Sequence, residues 1–304
     1  MDKKEAIENF ASSRPAARAI YGYGSGVFKQ AKREGTGKIL TDAIFVVDDL
    51  RVWHRDNMLL HPSDYSFLGK IHLSQRSIKK IKGLNKINYF SEIRDGEYTF
   101  KYGVTEIGDF IESLETWDNL FMAGRFHKPV MEVSSEEKIR ESIAYNRKCA
   151  LIIACLFCDK YTTRKEIFNK LCGLSYVGDA RMAIAENPHK VENIVEGSFD
   201  IIAKIYPLEN DFLIPIGPSG TFLIDYDKLI NHFNELPVSL LEYLYKKNTN
   251  FDDIEMLRIN VFDYFLMKNK QESRVQIIEG IKTNGIVRSV PYALAKVRKR
   301  FSKR

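Results

Sequence analysis

The feature that most constrains this chain is a glycine-rich turn feeding directly into an apolar strand. Between Tyr21 and Gln30 the sequence reads YGYGSGVFKQ, with three glycines in five residues. Glycine at that density marks a loop whose backbone takes positive φ or approaches another group closely. After a short polar Gly-containing segment comes ILTDAIFVV, from Ile39 to Val47, rich in Ile, Val and Phe and ending in Asp48-Asp49. That composition predicts a buried strand. It carries one acid, Asp42, and an acid inside an apolar strand needs a reason because burying a charge is costly.

Around this core the pattern predicts an α+β fold. Ala6, Ile7, Phe10 and Ala11 predict a helix over Lys3 to Arg18. Arg51 to Ser66 is irregular and polar, a helix or a loop carrying binding groups. INYFSEI and YTFKYGV flank Arg94-Asp95-Gly96-Glu97, a hairpin signal. Thr105 to Met122 reads as one helix. From Ser134 the chain is mainly helical, with Ser134 or Ser135 and Glu137 set to cap a long helix. One β-like pair, DFLIPIG and TFLIDYD, brackets Pro218-Ser219-Gly220. The expected organisation is an α/β domain over 1–132, a mostly helical domain over 133–279 and a basic tail over 280–304.

Composition enters through charge. Of 46 Lys and Arg against 40 Asp and Glu, eight basic residues and no acid fall between Gly280 and Arg304. Without that segment the body carries 38 against 40, so the basicity belongs to the tail. A chain-wide basic surface would point to nucleic acid, and none is expected here. If helical from Tyr292, the tail places Leu294, Val297 and Phe301 in a row amid basic residues. That pattern suits an anionic membrane surface, at about 1 kcal/mol per basic residue near it. The alternative is a basic tail that binds RNA or nothing. The longest apolar stretch, Cys149 to Cys158, is about half of what spans a bilayer. Cys149, Cys155, Cys158 and Cys172 read as buried apolar residues, since Cys155-x-x-Cys158 lacks partners at zinc spacing. The opening MDKKEAIENF resembles neither a secretory signal nor a transit peptide. The expected site is therefore the cytoplasmic face of a bacterial inner membrane, or the matrix side of the mitochondrial inner membrane if a presequence was removed.

A helix, a Gly-Ser loop and a strand bearing an acid resemble the opening of a nucleotidyltransferase of the DNA polymerase beta type. More specifically, YGYGSGVFKQ, TDAIFVVDD, the WH…N…HPSDYS segment, KYGV at Lys101 to Val104 and AGRFHKPV at Ala123 to Val130 resemble the mitochondrial-type CDP-diacylglycerol synthase family. LSYVGDARMAIAENPHKVENIV, from Leu174 to Val195, and the GIKTNGIVRSVPY end continue the match in order. The resemblance implies that CTP and phosphatidic acid give CDP-diacylglycerol and pyrophosphate with Mg²⁺. It also implies a winged-helix-like second domain and a membrane-binding C-terminal helix.

The resemblance also implies roles. Gly24 and Ser25 would sit on the CTP phosphates, and Asp42 would ligate Mg²⁺. The superfamily usually carries two acids spaced D-x-D on this strand, whereas Leu40 and Ile44 flank Asp42 at that spacing. Asp48, Asp49 or His127 would then complete the set. His54, Asn57, Tyr65 and Ser66 would contact nucleotide or metal-bound water, or only order their loop. Lys101, Arg125, His127 and Lys128 would neutralise phosphates, with His127 and Lys128 joining Asp42 in catalysis. Ser175 and Asp179 fall in the second block beside Gly178, Glu186 and Asn187. Arg181 would take the phosphatidate headgroup or pair with Asp179. A phosphate nucleophile is already anionic, so no strong base is required. Two other readings stay open: a nucleotidyltransferase acting on RNA or a small phosphorylated acceptor, and an inactive peripheral scaffold.

Overall fold

The structure is a computed structural model describing residues 2–28, 40–65, 86–179, 189–217 and 220–275. Asp2 and Glu5 form a reciprocal capping box that starts helix α1 (Lys3–Ser12). The helix was expected to reach Arg18 but stops at Ser12. Pro15 lies just beyond, and the residue before a proline is pushed out of helical geometry. Strand β1 (Ala19–Tyr23) then leads into the glycine turn. Strand β2 (Leu40–Val47) is the expected apolar strand. Asp49 caps helix α2 (Leu50–Leu60) through the amides of Arg51 and Val52. The expected hairpin forms as β3 (Asn88–Asp95) and β4 (Tyr98–Glu106), turning at Gly96 with φ 55°.

The single helix expected over Thr105 to Met122 is in fact two, α3 (Ile107–Thr116) and α4 (Leu120–Phe126). Trp117 breaks it by adopting φ 57°. That left-handed conformation is costly for a bulky residue. Full burial of the indole and its 2.7 Å hydrogen bond to Asn146 offset the cost. Strand β5 (Val130–Ser134) follows. Ser134 thus ends a strand, and Ser135 receives a hydrogen bond from Tyr21 rather than capping a helix. Helix α5 (Glu137–Leu156) begins without a side-chain cap.

The first sheet runs β3-β4-β2-β1-β5, antiparallel except for the parallel pair β2–β4. The register sets Asp42 between Tyr23 on β1 and Lys101 on β4. Its two faces are covered separately. Phe45, Tyr102, Phe90 and Trp53 pack on one face with α1 and α2. Ile44, Val46, Tyr21 and Tyr89 on the other join a larger core that continues through α3, α4 and α5.

Beyond α5 come β6 (Tyr161–Thr163), α6 (Arg164–Gly173) and α7 (Lys190–Ile205). The expected pair is β7 (Leu213–Ile216) and β8 (Thr221–Ile224), and β6 adds a third strand in the order β6-β8-β7. Helices α8 (Tyr226–Asn231), α9 (Val238–Lys246) and α10 (254–275) complete the described chain. All four cysteines are buried and free, as expected, and burial pushes the Cys149 thiol up to about 12. No helix among the described residues is long and apolar enough to cross a membrane.

Candidate active site

Gly24 closes the turn after β1 with φ 75°, and the amides of Val27 and Phe28 both return to its carbonyl. A Cβ at Gly24 would lie 3.3 Å from Asp42 Oδ2, so the turn is pressed against that carboxylate. Gly26 lies still closer to β2, where a Cβ would meet the Leu40 carbonyl at 2.1 Å. The turn carrying Ser25 is therefore held by the strand carrying Asp42.

Side chains alternate along a strand. Asp42 shares the face of Ile44 and Val46, and Lys101 lies opposite to Phe100 and Tyr102, on the face of Asp42. Lys101 Nζ stands 4.9 Å from the Tyr89 ring. From α4, Arg125 reaches onto this face. Its guanidinium lies 4.7 Å from the Tyr23 ring, 5.4 Å from Tyr89 and 4.3 Å from Phe121. Burial opposes its charge, but Tyr23, Tyr89 and Asp42 outweigh that and hold its pKa above the usual value. Arg125 Nε is buried and donates to no group among the described residues. A buried donor without an acceptor costs free energy until an acceptor arrives. One carboxylate, a backbone turn and two cations backed by aromatic rings thus converge on one face.

Lys128 follows α4 and is held by its surroundings. Its Nζ donates to the Gly124 carbonyl at 2.7 Å and to Ser175 Oγ, and lies 4.7 Å from the Tyr176 ring. Lys190 Nζ approaches the same ring at 5.5 Å. Lys128 and Ser175, 47 residues apart and from separate candidate motifs, are brought together by the fold. Asp179 is buried beside this turn, its amide bonded to the Tyr176 carbonyl.

The model of the family described as "Phosphatidate cytidylyltransferase, mitochondrial" matches residues 4–216. The chain belongs to this family. It is 31% identical over 309 residues to the mitochondrial phosphatidate cytidylyltransferase of Schizosaccharomyces pombe, covering 91% of this chain and 79% of the relative. It is 29% identical to the Drosophila melanogaster protein of that name, covering 93% and 94% of the two chains. For the Mus musculus protein of that name the identity is 37% over 191 residues, 61% of this chain and 56% of the relative.

Not every residue the family resemblance singled out reaches the Asp42 face. His54, Asn57 and Tyr65 lie across the sheet, buried with α2. Tyr65 Oη sits 3.0 Å from His54 Nδ1 and receives Asn57 Nδ2 at 2.9 Å. Asn57 also donates to Tyr102 at 3.2 Å, and Tyr102 to Asp64 at 2.7 Å. Arg14 closes the chain on Asp64 at 2.8 Å. At these three positions the fold favours the second of the two readings left open by the sequence, groups that order their own segment, although His54 Nε2 and Asn57 Oδ1 bond to no group among the described residues. Sequence reasoning missed Arg14, Asp64 and Tyr102. Asp64 stood inside the quoted HPSDYS, but its partner is 50 residues upstream.

His127 is corrected. It is buried against Trp117, with Nε2 3.1 Å from Asn146 Oδ1, and burial and Lys128 lower its pKa to about 3. A ring held neutral and packed in the core is neither a phosphate-binding cation nor a proton donor at neutral pH. Asp48 is exposed and holds Arg18 at 2.8 Å. Asp48 lies six residue steps from Asp42, roughly 20 Å at the rise of an extended chain, too far to share one metal ion. Among the described residues no three His, Cys, Asp or Glu gather as a metal site. Ser66, Arg181, Glu186, Asn187 and the tail over 280–304 lie outside the described residues. The residues missed on the Asp42 face are Tyr23, Tyr89 and Tyr176. Tyr23 lies within the quoted glycine motif, and its strand position opposite Asp42 was the usable signal.

Proposed function

We propose that this chain is a phosphatidate cytidylyltransferase, joining CTP to phosphatidic acid and releasing pyrophosphate at a membrane surface. The observation that carries the reading is Asp42, pressed against the Gly24-Ser25 turn and faced by Lys101 and Arg125 on one face of the sheet. The relatives carry this activity in their names.

The chemistry follows from these groups. The Gly24-Ser25 turn presents backbone and hydroxyl donors to the triphosphate. Arg125, whose buried Nε has a donor to spend, and Lys101 offset its negative charge. Lys128, aligned by Gly124 and Ser175, serves the second phosphate group. A phosphatidate oxygen attacks the α-phosphorus in line, forming the new P–O bond as the bond to pyrophosphate breaks. The nucleophile is anionic, so no general base is asked of neutral His127. Asp42 fits Mg²⁺ as a single hard oxygen ligand, because this ion is commonly held by one or two carboxylates plus substrate phosphates. When bound there, Mg²⁺ supplies charge neutralisation on the triphosphate.

We assign the unit from α5 to β8 to the winged-helix kind, supported by its helix-strand-helix-helix-strand-strand order and the β6-β8-β7 sheet. The membrane reading rests on the basic tail and on α10, which leads into it with Ile259, Phe262 and Leu266 exposed at helical spacing. Anionic lipid is the surface these features suit. The bacterial membrane expected from the N-terminal residues finds no support among the relatives above, each named for the mitochondrion.

The test is pyrophosphate release from each nucleoside triphosphate, with Mg²⁺ and phosphatidic acid micelles, for wild type and Asp42→Ala. Release with CTP alone, dependent on lipid and reduced at least 1000-fold in the variant, is expected, a loss of about 4 kcal/mol of transition-state stabilisation. Release that ignores lipid, or survives in Asp42→Ala, overturns the assignment.

A further inference from the structure

Helix α10 packs into the core beneath the Asp42 face, and four of its polar side chains are spent on the segments that build the site. Tyr264 donates to the Trp117 carbonyl at 2.7 Å, and Lys268 to the Asp118 carbonyl at 3.0 Å. Glu272 Oε1 accepts the Leu120 amide at 2.8 Å, at the first residue of α4. These three residues recur every fourth position and so share a helix face. Asn269 donates to the carbonyls of Leu174 and Val177, each at 2.9 Å, on either side of Ser175 and Tyr176. Asn269 and Glu272 are both buried. One helix thus grips the start of the element carrying Arg125 and, separately, the turn carrying Ser175.

Apolar residues could pack the same surfaces without the desolvation cost of a buried amide and carboxyl. Directed hydrogen bonds add fixed spacing. The spacing in question is the one across which Lys128, just after α4, meets Ser175.

We propose that Asn269 and Glu272 are positioning residues for the reaction: they lock α4 and the 174–177 turn at the separation that aims Arg125 and Lys128 at the two phosphate groups. The inference rests on the functional reading above. Displacement of about 1 Å in such groups costs about 100-fold in rate. Asn269→Asp keeps the shape but removes both donated hydrogen bonds and sets negative oxygen against two carbonyls. Glu272→Gln keeps an oxygen for the Leu120 amide, whereas Glu272→Ala removes it. Burial raises the Glu272 carboxyl to about 8, opposed by the Leu120 and Phe121 amides and by Lys268 and reinforced by Asp118. A neutral amide in its place is therefore well tolerated.

The experiment measures kcat and KM for CTP, per folded protein, with phosphatidic acid micelles, alongside the melting temperature of each variant. Asn269→Asp and Glu272→Ala are expected to lose about 10- to 100-fold in kcat with KM for CTP within about threefold, and Glu272→Gln to recover most of the loss. Variants that melt lower while the folded fraction keeps wild-type kcat overturn the proposal, as does a Gln variant no better than Ala. Should Asn269→Asp not fold, the Glu272 pair decides alone. A wild type without lipid-dependent CTP turnover overturns the functional reading instead, so the two failures are told apart.

Discussion

The two faces of the first sheet both carry buried polar side chains and use them differently. On the α1 and α2 face, Arg14, Asp64, Tyr102, Asn57, Tyr65 and His54 are joined by a buried chain of hydrogen bonds, with Arg14 Nε, His54 Nε2 and Asn57 Oδ1 bonded to no group among the described residues. On the α4 face, Arg125 is stacked among Tyr23, Tyr89 and Phe121 beside Asp42, with its Nε buried and undirected among the described residues. The first face spends its polar groups on holding α1, α2 and the 62–64 turn to the sheet. The second keeps charge in place for a ligand. Residue type alone does not separate the two uses; position on the sheet face that holds Asp42 against the glycine turn does.

The contrast breaks most sharply at Asp64 against Asp42. Removing one partner of a buried ion pair leaves an uncompensated charge and costs about 3–5 kcal/mol. Asp64→Ala should therefore lower the urea midpoint strongly and lose activity only in proportion to unfolded protein. Asp42→Ala should do the reverse. If Asp64→Ala melts like wild type but loses turnover, the back face belongs to the site after all.

A smaller effect comes from pH. Burial holds both His54 and His127 to about 3, below the ordinary value near 6.5. Below pH 6.5 the unfolded chain takes up protons that the folded chain refuses, so their contribution is present above that pH and lost as pH falls from 6.5 toward 3. The melting temperature should rise from pH 5 to pH 7, and His54→Gln should flatten the rise. Partly buried His232, raised by Asp211 and Glu235, acts in the opposite sense and is partly screened by solvent. An unchanged slope in His54→Gln would show that this ring is not held neutral.

The smallest effect is expected at Asp48. Asp48→Ala should leave CTP turnover within about twofold, since the residue faces Arg18 at the far end of β2. A loss comparable with that of Asp42→Ala would place Asp48 in the metal set and undo the argument from strand length.

Much of this was legible in the sequence. The glycine turn, the apolar strand with one acid and the hairpin at Gly96 are local signals, and each appears where the residues put it. Lys128 and Ser175 were separate candidates that the fold joins. The errors were non-local. Nothing in WH…N…HPSDYS shows that Asp64 pairs with Arg14, which lies past the end of α1 and 50 residues upstream. The break at Trp117 was equally hidden, since Asn146, which receives its indole, lies 29 residues downstream.

The pairing of β1 with β5 has a temporal consequence. The strand that ends in the glycine turn gains its second neighbour only from residues 130–134, and α4 accepts hydrogen bonds from Asn146 and Arg147 and, last, donates one from its first amide to Glu272. During synthesis the N-terminal third, with Gly24 and Asp42 already present, emerges long before the groups that orient Arg125. Contacts that span so much chain form late and slowly. The turn and the acid that would hold the triphosphate thus leave the ribosome before the residues that fix Arg125 and Lys128 against them.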